Sequence, residues 1–399
     1  MAPMLPALPS LVVLLLVAAG GAVARPAMAV APEPPPTMPR ARLDLRTGGT
    51  TSTVDAAIVV EAADGGMLLE LDDQRYQLVP AGTVEARRPA PPREPAESPR
   101  ACGQRVLAEL PPGFALLTTR HYVVCFDTSR DYAQWCAALF ERLHAAFGNF
   151  WSQAGLEIAD PSRPLVVVIF ADRAAYERHA AGDLGAAADR VVGYYNLMSN
   201  RVTTFDLTGT DGLAAGASRP GGAAAEIMAS PAAAGLVSTL VHEATHQMAF
   251  NCGMHRRLAP VPLWVSEGIA TYFETPDLAA DRGWRGIGTP NRSRLDQFLA
   301  GYREGDIAAI VAADDRFRDA DRPLDAYAAA WALTRHLTES RKGAFVGYLR
   351  GQAAKRPLAE DSAADRTREF EAAFGGSVAE LEKDVVASAA RLQSRLQRR

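Results

Sequence analysis

The stretch VHEATHQMAFNCG, Val241–Gly253, sets two histidines and a glutamate within five residues of a chain that owns only seven histidines. In an α-helix positions i and i+4 share a face, so His242 and His246 stand side by side with Cβ atoms about 6 Å apart. One zinc ion spans that gap. Glu243 lies one step round the helix, off the line of a third ligand but within reach of a water on the metal. Val241, Ala244 and Met248 give the helix an apolar back, Ser238 or Thr239 offers a cap at its start, and Gly253 offers a stop. A single helix supplies only two ligands, so the fold must return another segment carrying a third ligand to this one. The plain alternative is a structural helix, with His242, Glu243, His246 and, further along the chain, Glu267 facing solvent.

The 399 residues, 48% hydrophobic and 22% charged, suffice for one large domain and a smaller one. A net charge of -4 with no basic stripe points to no nucleic-acid partner and no anionic-membrane partner. Residues 1–29 read as an export signal: an apolar run from Ser10 to Ala24, then small-residue cleavage sites at Ala22-Val23-Ala24 and Ala27-Met28-Ala29. The run is short for a bilayer span of roughly 20 residues, and membrane attachment arises only if the signal stays uncleaved. Export places the four cysteines in an oxidising compartment, where Cys125 and Cys136 are the expected disulfide couple. No C-x-x-C pair exists to make a cysteine zinc site.

Residues 30–53 read as a Pro- and Gly-rich linker, and residues 54–86 as a small three-stranded β-meander with turns at Asp64-Gly65-Gly66 and Asp72-Asp73. Residues 87–100 form a second Pro-rich linker, and 101–399 the main domain. Within it TTRHYVVCFD and PLVVVIFA read as strands, DYAQWCAALFERLHAAFGNFW and AAYERHAAG as helices, and VVGYYNLMSNRVTTFDL as a hairpin turning at Ser199-Asn200. Thr208 to Ala234 reads as a long loop, and everything after Val237 as helical. The fold class is therefore α+β, a β-rich half followed by an α-helical half, with the meander in front.

Twenty residues beyond His246, PLWVSEGIATYFETPD supplies Glu267 on a second helix. At this point the chain resembles the gluzincin metallopeptidases, whose HExxH is followed by roughly twenty residues and a Glu-Gly-x-Ala segment. The matching residues are His242-Glu243-x-x-His246 and Glu267-Gly268-Ile269-Ala270. The resemblance implies a zincin-like domain with one Zn2+ held by His242, His246 and Glu267, Glu243 as general base, and a peptide or protein substrate. The wider run HEATHQMAFNCGMH…PLWVSEGIATYFE is still more similar to a bacterial family of uncharacterised exported proteins placed with these peptidases, over about Thr118 to Arg350.

Metal-bound imidazoles need outer hydrogen bonds to fix their orientation. Gluzincins often carry an Asn just before the third ligand and a carboxylate one turn after it; here Ser266 and Thr271 stand at those positions, and Glu274 is the nearest replacement. The resemblance places a tyrosine at the start of a later helix, which makes Tyr327 in LDAYAAAWALTRHL the candidate to stabilise a developing oxyanion. Tyr327, Trp331 and Thr334 also fall at the spacing of an ordinary core stripe. His255 and His336 are weaker proton donors, and His121, His144 and His179 occupy places where histidines are unremarkable. The hairpin is an edge on which an extended peptide could be added as a strand. No Gly-rich phosphate loop and no GxSxG elbow is present. Two readings follow: an exported zinc hydrolase acting on peptides, or a zinc-binding scaffold that keeps the fold without turnover. Oligomeric state and substrate are not legible.

Overall fold

The computed structural model describes residues 38–93, 95–209, 228, 233–275, 287–319 and 322–398. The expected signal, residues 1–29, and most of the expected loop from Thr208 to Ala234 lie outside the described residues. The chain divides into two units, one running to Glu97 with Asn196–Asn200, the other holding Ser98–Tyr195 and Arg201–Arg399.

The stretch read as a linker begins the first unit's sheet. In RARLDLRT the residues Ala41, Leu43 and Leu45 are buried and alternate with charged ones, the period of a half-buried strand. This strand, β1 (Arg40–Thr47), pairs antiparallel with β2 (Thr50–Glu61) from Thr47↔Thr50 onward. Gly48 and Gly49 join them with φ of 58° and 87°, the two-residue turn with both centres at positive φ that Gly-Gly favours. Three further strands, β3 (Met67–Leu71), β4 (Tyr76–Val79) and β5 (Val84–Pro89), complete a sheet of order β4-β3-β2-β1-β5. The meander therefore has five strands, and β5 reaches into the second expected linker. Its apolar face gathers Leu43, Ile58, Met67, Leu69 and Val79. Charged pairs such as Arg42–Asp55, joined by two bonds of 2.7 Å, lie on exposed positions.

In the second unit α1 (Pro99–Leu107) leads to β6 (Ala115–Thr118) and β7 (Tyr122–Phe126), so TTRHYVVCFD contains a turn between two antiparallel strands. Ser129 caps α2 (Arg130–Gln153) by accepting from the Tyr132 N–H. The chain then enters β8 (Leu165–Phe170), whose six residues are all buried, as a strand covered on both faces requires. β8 lies parallel to β7 and to β10 (Arg201–Phe205). Between them come α3 (Arg173–Leu184), capped by Asp172, and the edge strand β9 (Gly193–Asn196), giving the order β6-β7-β8-β10-β9.

Beyond β10 the described chain is helical: α4 (Ala234–Asn251), α5 (Leu263–Phe273), α6 (Arg292–Gly301), α7 (Asp306–Ala312), α8 (Pro323–Ser340), α9 (Lys342–Ala353), α10 (Ala363–Phe374) and α11 (Val378–Gln397). The fold is α+β, with both sheets in the N-terminal half, helices in the C-terminal half and no closed barrel. Among the described residues no helix is long and apolar enough to cross a membrane.

Cys125 and Cys136 are not bonded; both are free, buried thiols. Cys125 turns toward α1, its Sγ 3.9 Å from the Gly103 carbonyl, whereas Cys136 faces Tyr132 and Asp206. Closeness along the chain misled here because the strand and the helix aim the two thiols at different neighbours. Burial pushes the Cys125 thiol up to about 12.

Candidate metal centre

Helix α4 starts at Ala234, a turn earlier than its polar residues suggested. Ser238 and Thr239 lie inside it and cap nothing; the Thr239 hydroxyl donates back to the Gly235 carbonyl at 3.3 Å. Its end is as expected, with Gly253 at φ 86° just past Cys252. The 3.6-residue repeat then places His242 and His246 on one face, their rings 4.7 Å apart between centroids. Both are almost fully buried, as are Glu243 and Glu267, so these four residues do not face solvent and the reading of a plain surface helix fails.

Helix α5 brings Glu267 against that face. Its Oε2 lies 3.0 Å from His242 Nε2 and 3.5 Å from His246 Nε2, and the two imidazole nitrogens are 3.1 Å apart. A tetrahedral ion with bonds of about 2.0–2.1 Å holds its ligand atoms about 3.3–3.4 Å from one another. The three atoms thus outline one face of such a tetrahedron, and the trio could hold a metal ion.

What lets α5 and α8 close on each other is Gly268. A Cβ there would stand 2.1 Å from Thr334 Oγ1 and 2.9 Å from the Ala330 carbonyl oxygen, both on α8. Alanine gains about 1 kcal/mol of helix propensity over glycine. The threonine can rotate but the backbone carbonyl cannot, and overpacking of this kind costs about 1–3 kcal/mol. Gly268→Ala is therefore expected to lower the melting temperature by several degrees, measured by circular dichroism. A higher melting temperature would show that the helices do not depend on this approach.

Outside the trio, Glu274 accepts from His242 Nδ1 at 3.1 Å through Oε2. Its Oε1 accepts from Asn291 Nδ2 and from Arg294 Nε, each at 2.9 Å. Asn291 has a second task, capping α6 by accepting the Arg294 N–H through Oδ1 at 3.1 Å. Ser266 and Thr271 do not share this work. Their hydroxyls donate to carbonyls of α5 itself, Ser266 to Leu263 at 3.3 Å and Thr271 to Glu267 at 2.8 Å.

Glu243 approaches from the other side. Its Oε2 accepts the main-chain N–H of Tyr195, on the edge strand β9, at 2.8 Å. Its Oε1, like Oε1 of Glu267, is buried with no hydrogen-bond partner. Two such oxygens are costly in a protein interior unless a cation or water meets them. In the protonation state that metal ligation requires, with both imidazoles neutral and Glu243 ionised, Glu243, Glu267 and Glu274 against the single guanidinium of Arg294 leave two negative charges, which one divalent cation cancels.

The titration shifts follow from that field. Burial alone would depress His242, but Glu267 and Glu274 beside it push it up to about 10. Burial opposes ionisation of Glu267, yet His246 and His242 take it down to about 2. For Glu243, which faces the trio without a fixed cation, burial wins and the carboxyl is raised. Tyr327 on α8 is buried near the same group: desolvation and then the Glu267 charge hold its hydroxyl well above its usual value, with the Arg294 guanidinium 5.8 Å from its ring. Tyr327 packs on Phe317, as a core residue does, and its hydroxyl lies in the field of the cluster's carboxylates. His255 stays neutral, brought to about 3 by burial and by His246. His336 is lowered by burial against the opposing charge of Asp384, with no carboxylate of the cluster among its neighbours.

Residues 236–359 match the family model described as Protein of unknown function (DUF1570). The match takes in the His242–His246 helix, Glu267, Glu274, Arg294 and Tyr327 and runs through α9; it does not reach back to the second sheet. No curated protein matches the chain.

Sequence reasoning missed Asn291, Arg294 and Tyr195. Asn291 was detectable as a helix cap, since Asn before a periodic run is a start signal. Its contact with Glu274, like that of Arg294, is made across 17 to 20 positions and leaves no local pattern.

Proposed function

We propose that this chain is an exported zinc-dependent hydrolase of the gluzincin type that cleaves peptide bonds. The observation that carries the reading is the joint geometry of α4 and α5: three ligand atoms at tetrahedral spacing, with the partnerless Oε1 of Glu243 beside them. Two imidazole nitrogens and one carboxylate oxygen suit zinc, and leave a fourth position for water or substrate. Bound there, zinc would supply a Lewis acid that polarises a carbonyl and acidifies water.

The chain's own residues do the rest. Tyr195 N–H fixes one oxygen of Glu243, so the other is free to accept a proton from the attacking water and return it to the leaving amine. The raised pKa of Glu243 suits both transfers. Tyr327 keeps its proton and so can donate a hydrogen bond to oxygen charge as it develops. Glu274, clamped by Asn291 and Arg294, would keep the proton of His242 on Nδ1 when an ion binds, so that Nε2, the nitrogen facing Glu267, is the one offered to it. A peptide is the favoured substrate because β9, the outermost strand of the sheet, is tied to Glu243 through the Tyr195 N–H, which brings a sheet edge of the kind that receives added strands to the metal cluster. Export rests on the apolar N-terminal run and its small-residue cleavage sites.

Elemental analysis after exhaustive dialysis should find one tightly held zinc per chain that His242→Ala removes, and peptide-library profiling by mass spectrometry should find cleavage that a chelator stops. Protein that carries no zinc and takes up none would refute the metal site. Full zinc with every peptide intact would instead identify a zinc-binding scaffold.

A further inference from the structure

Histidines 121 and 144, which look unremarkable in the sequence, are brought together. Their rings stack at 3.8 Å between centroids with an interplanar angle of 19°. His121 precedes β7, His144 lies on α2, and Asp160 joins them from the connection between α2 and β8. One ligand atom from each of the three lies within 4.8 Å of the other two.

We infer that His121, His144 and Asp160 form a second site, for an exchangeable divalent metal ion. No element that supplies a ligand to the α4–α5 cluster contributes here.

The preparation of His121 separates this group from a chance ring contact. Its Nδ1 lies 2.7 Å from Glu141 Oε2, which assigns the ring proton to Nδ1 and leaves Nε2 as a lone-pair donor. Glu141 is itself fixed, since its Oε1 accepts from the Thr119 hydroxyl at 2.6 Å and from the His121 main-chain N–H at 2.7 Å. The same device orients His242 through Glu274. Glu141 and His144 stand three apart on one face of α2, so a single helical turn delivers both the orienting carboxylate and the second imidazole.

Asp160 is free to complete the group. Its present partner is Arg120 at 3.9 Å, and both side chains are largely exposed, 80% for Arg120 and 70% for Asp160. An ion pair of that kind contributes roughly 0–1 kcal/mol and yields to a dication. Reaching bonding separations of about 3.3 Å between ligand atoms requires a swing of the exposed Asp160 carboxylate and a tilt of the stacked rings. Imidazole nitrogens with one carboxylate select a borderline ion such as zinc over calcium or magnesium. Water would fill the remaining positions, and the exposure of Asp160 makes the ion exchangeable.

Zinc chloride is the probe. The full chain is dialysed to equilibrium against a series of zinc concentrations, and bound zinc is counted by elemental analysis. The equivalent assigned here is the one that His242→Ala leaves in place and that His144→Ala and Asp160→Ala each weaken by about tenfold or more. Asp160 is exposed enough that its replacement leaves the fold intact, which circular dichroism verifies. Because the His242→Ala protein retains this equivalent, the test stands apart from the fate of the α4–α5 cluster. Either Asp160→Ala or His144→Ala keeping the full zinc isotherm of the wild type would overturn the inference, as would a His242→Ala protein that binds no zinc.

Discussion

Glu243→Gln is expected to lower peptide hydrolysis by about 10²–10⁴-fold, the usual contribution of a positioned general base, while bound zinc stays at the wild-type level. The substitution is nearly isosteric, and an amide oxygen still accepts the Tyr195 N–H that now holds Oε2 at 2.8 Å. What disappears is the basic oxygen: the position of the partnerless Oε1 passes to an NH2 group, which donates and cannot accept a proton. Zinc is retained because Glu243 stands outside the group of three ligand atoms. Turnover and elemental analysis on the same preparation separate the outcomes. Equal turnover would remove Glu243 from the chemistry, and lost zinc would make it a ligand.

Such a sharp prediction is available because much of this site is local in the chain. His242 and His246 face the same way because a helix repeats every 3.6 residues, and that holds wherever the helix is packed. Glu267 was legible through the resemblance, because a Glu-Gly-x-Ala segment follows the His pair at the gluzincin spacing. The α+β order was readable because buried strands such as LVVVIF differ in composition from helices such as α2. Other features were hidden by tertiary closure. The glycine of Glu-Gly-Ile-Ala was read as part of a motif, but its physical reason is the Thr334 side chain and the Ala330 carbonyl on α8, 62 or more positions away. The clamp on Glu274 and the meeting of His121 with His144 likewise depend on which surfaces pack. The first strand of the small unit is a different case. Its alternating Ala41, Leu43 and Leu45 and its Gly48-Gly49 turn were present in the sequence, masked by the proline-rich residues before them.

Glu267→Ala is the second large effect, and its two readouts should move unequally. Zinc affinity is expected to fall by more than the roughly 10–100-fold that loss of an outer orienting partner costs, since an anionic ligand itself is removed. Stability of the zinc-free protein is subject to opposing contributions. Breaking a buried ion pair costs about 3–5 kcal/mol, and Glu267 contacts both imidazoles. Yet burial opposes the charge on Glu267, so its removal also relieves a desolvation cost, and His242 keeps Glu274 at 3.1 Å. The stability loss should therefore fall at or below the small end of that range, while the zinc isotherm shifts far to the right. A cluster that is only a buried hydrogen-bond network predicts the reverse: a large drop in melting temperature, and wild-type protein whose melt is indifferent to a chelator. Thermal melts of wild type and Glu267→Ala, each with and without chelator, decide between them, because only a bound cation makes the chelator's effect depend on residue 267.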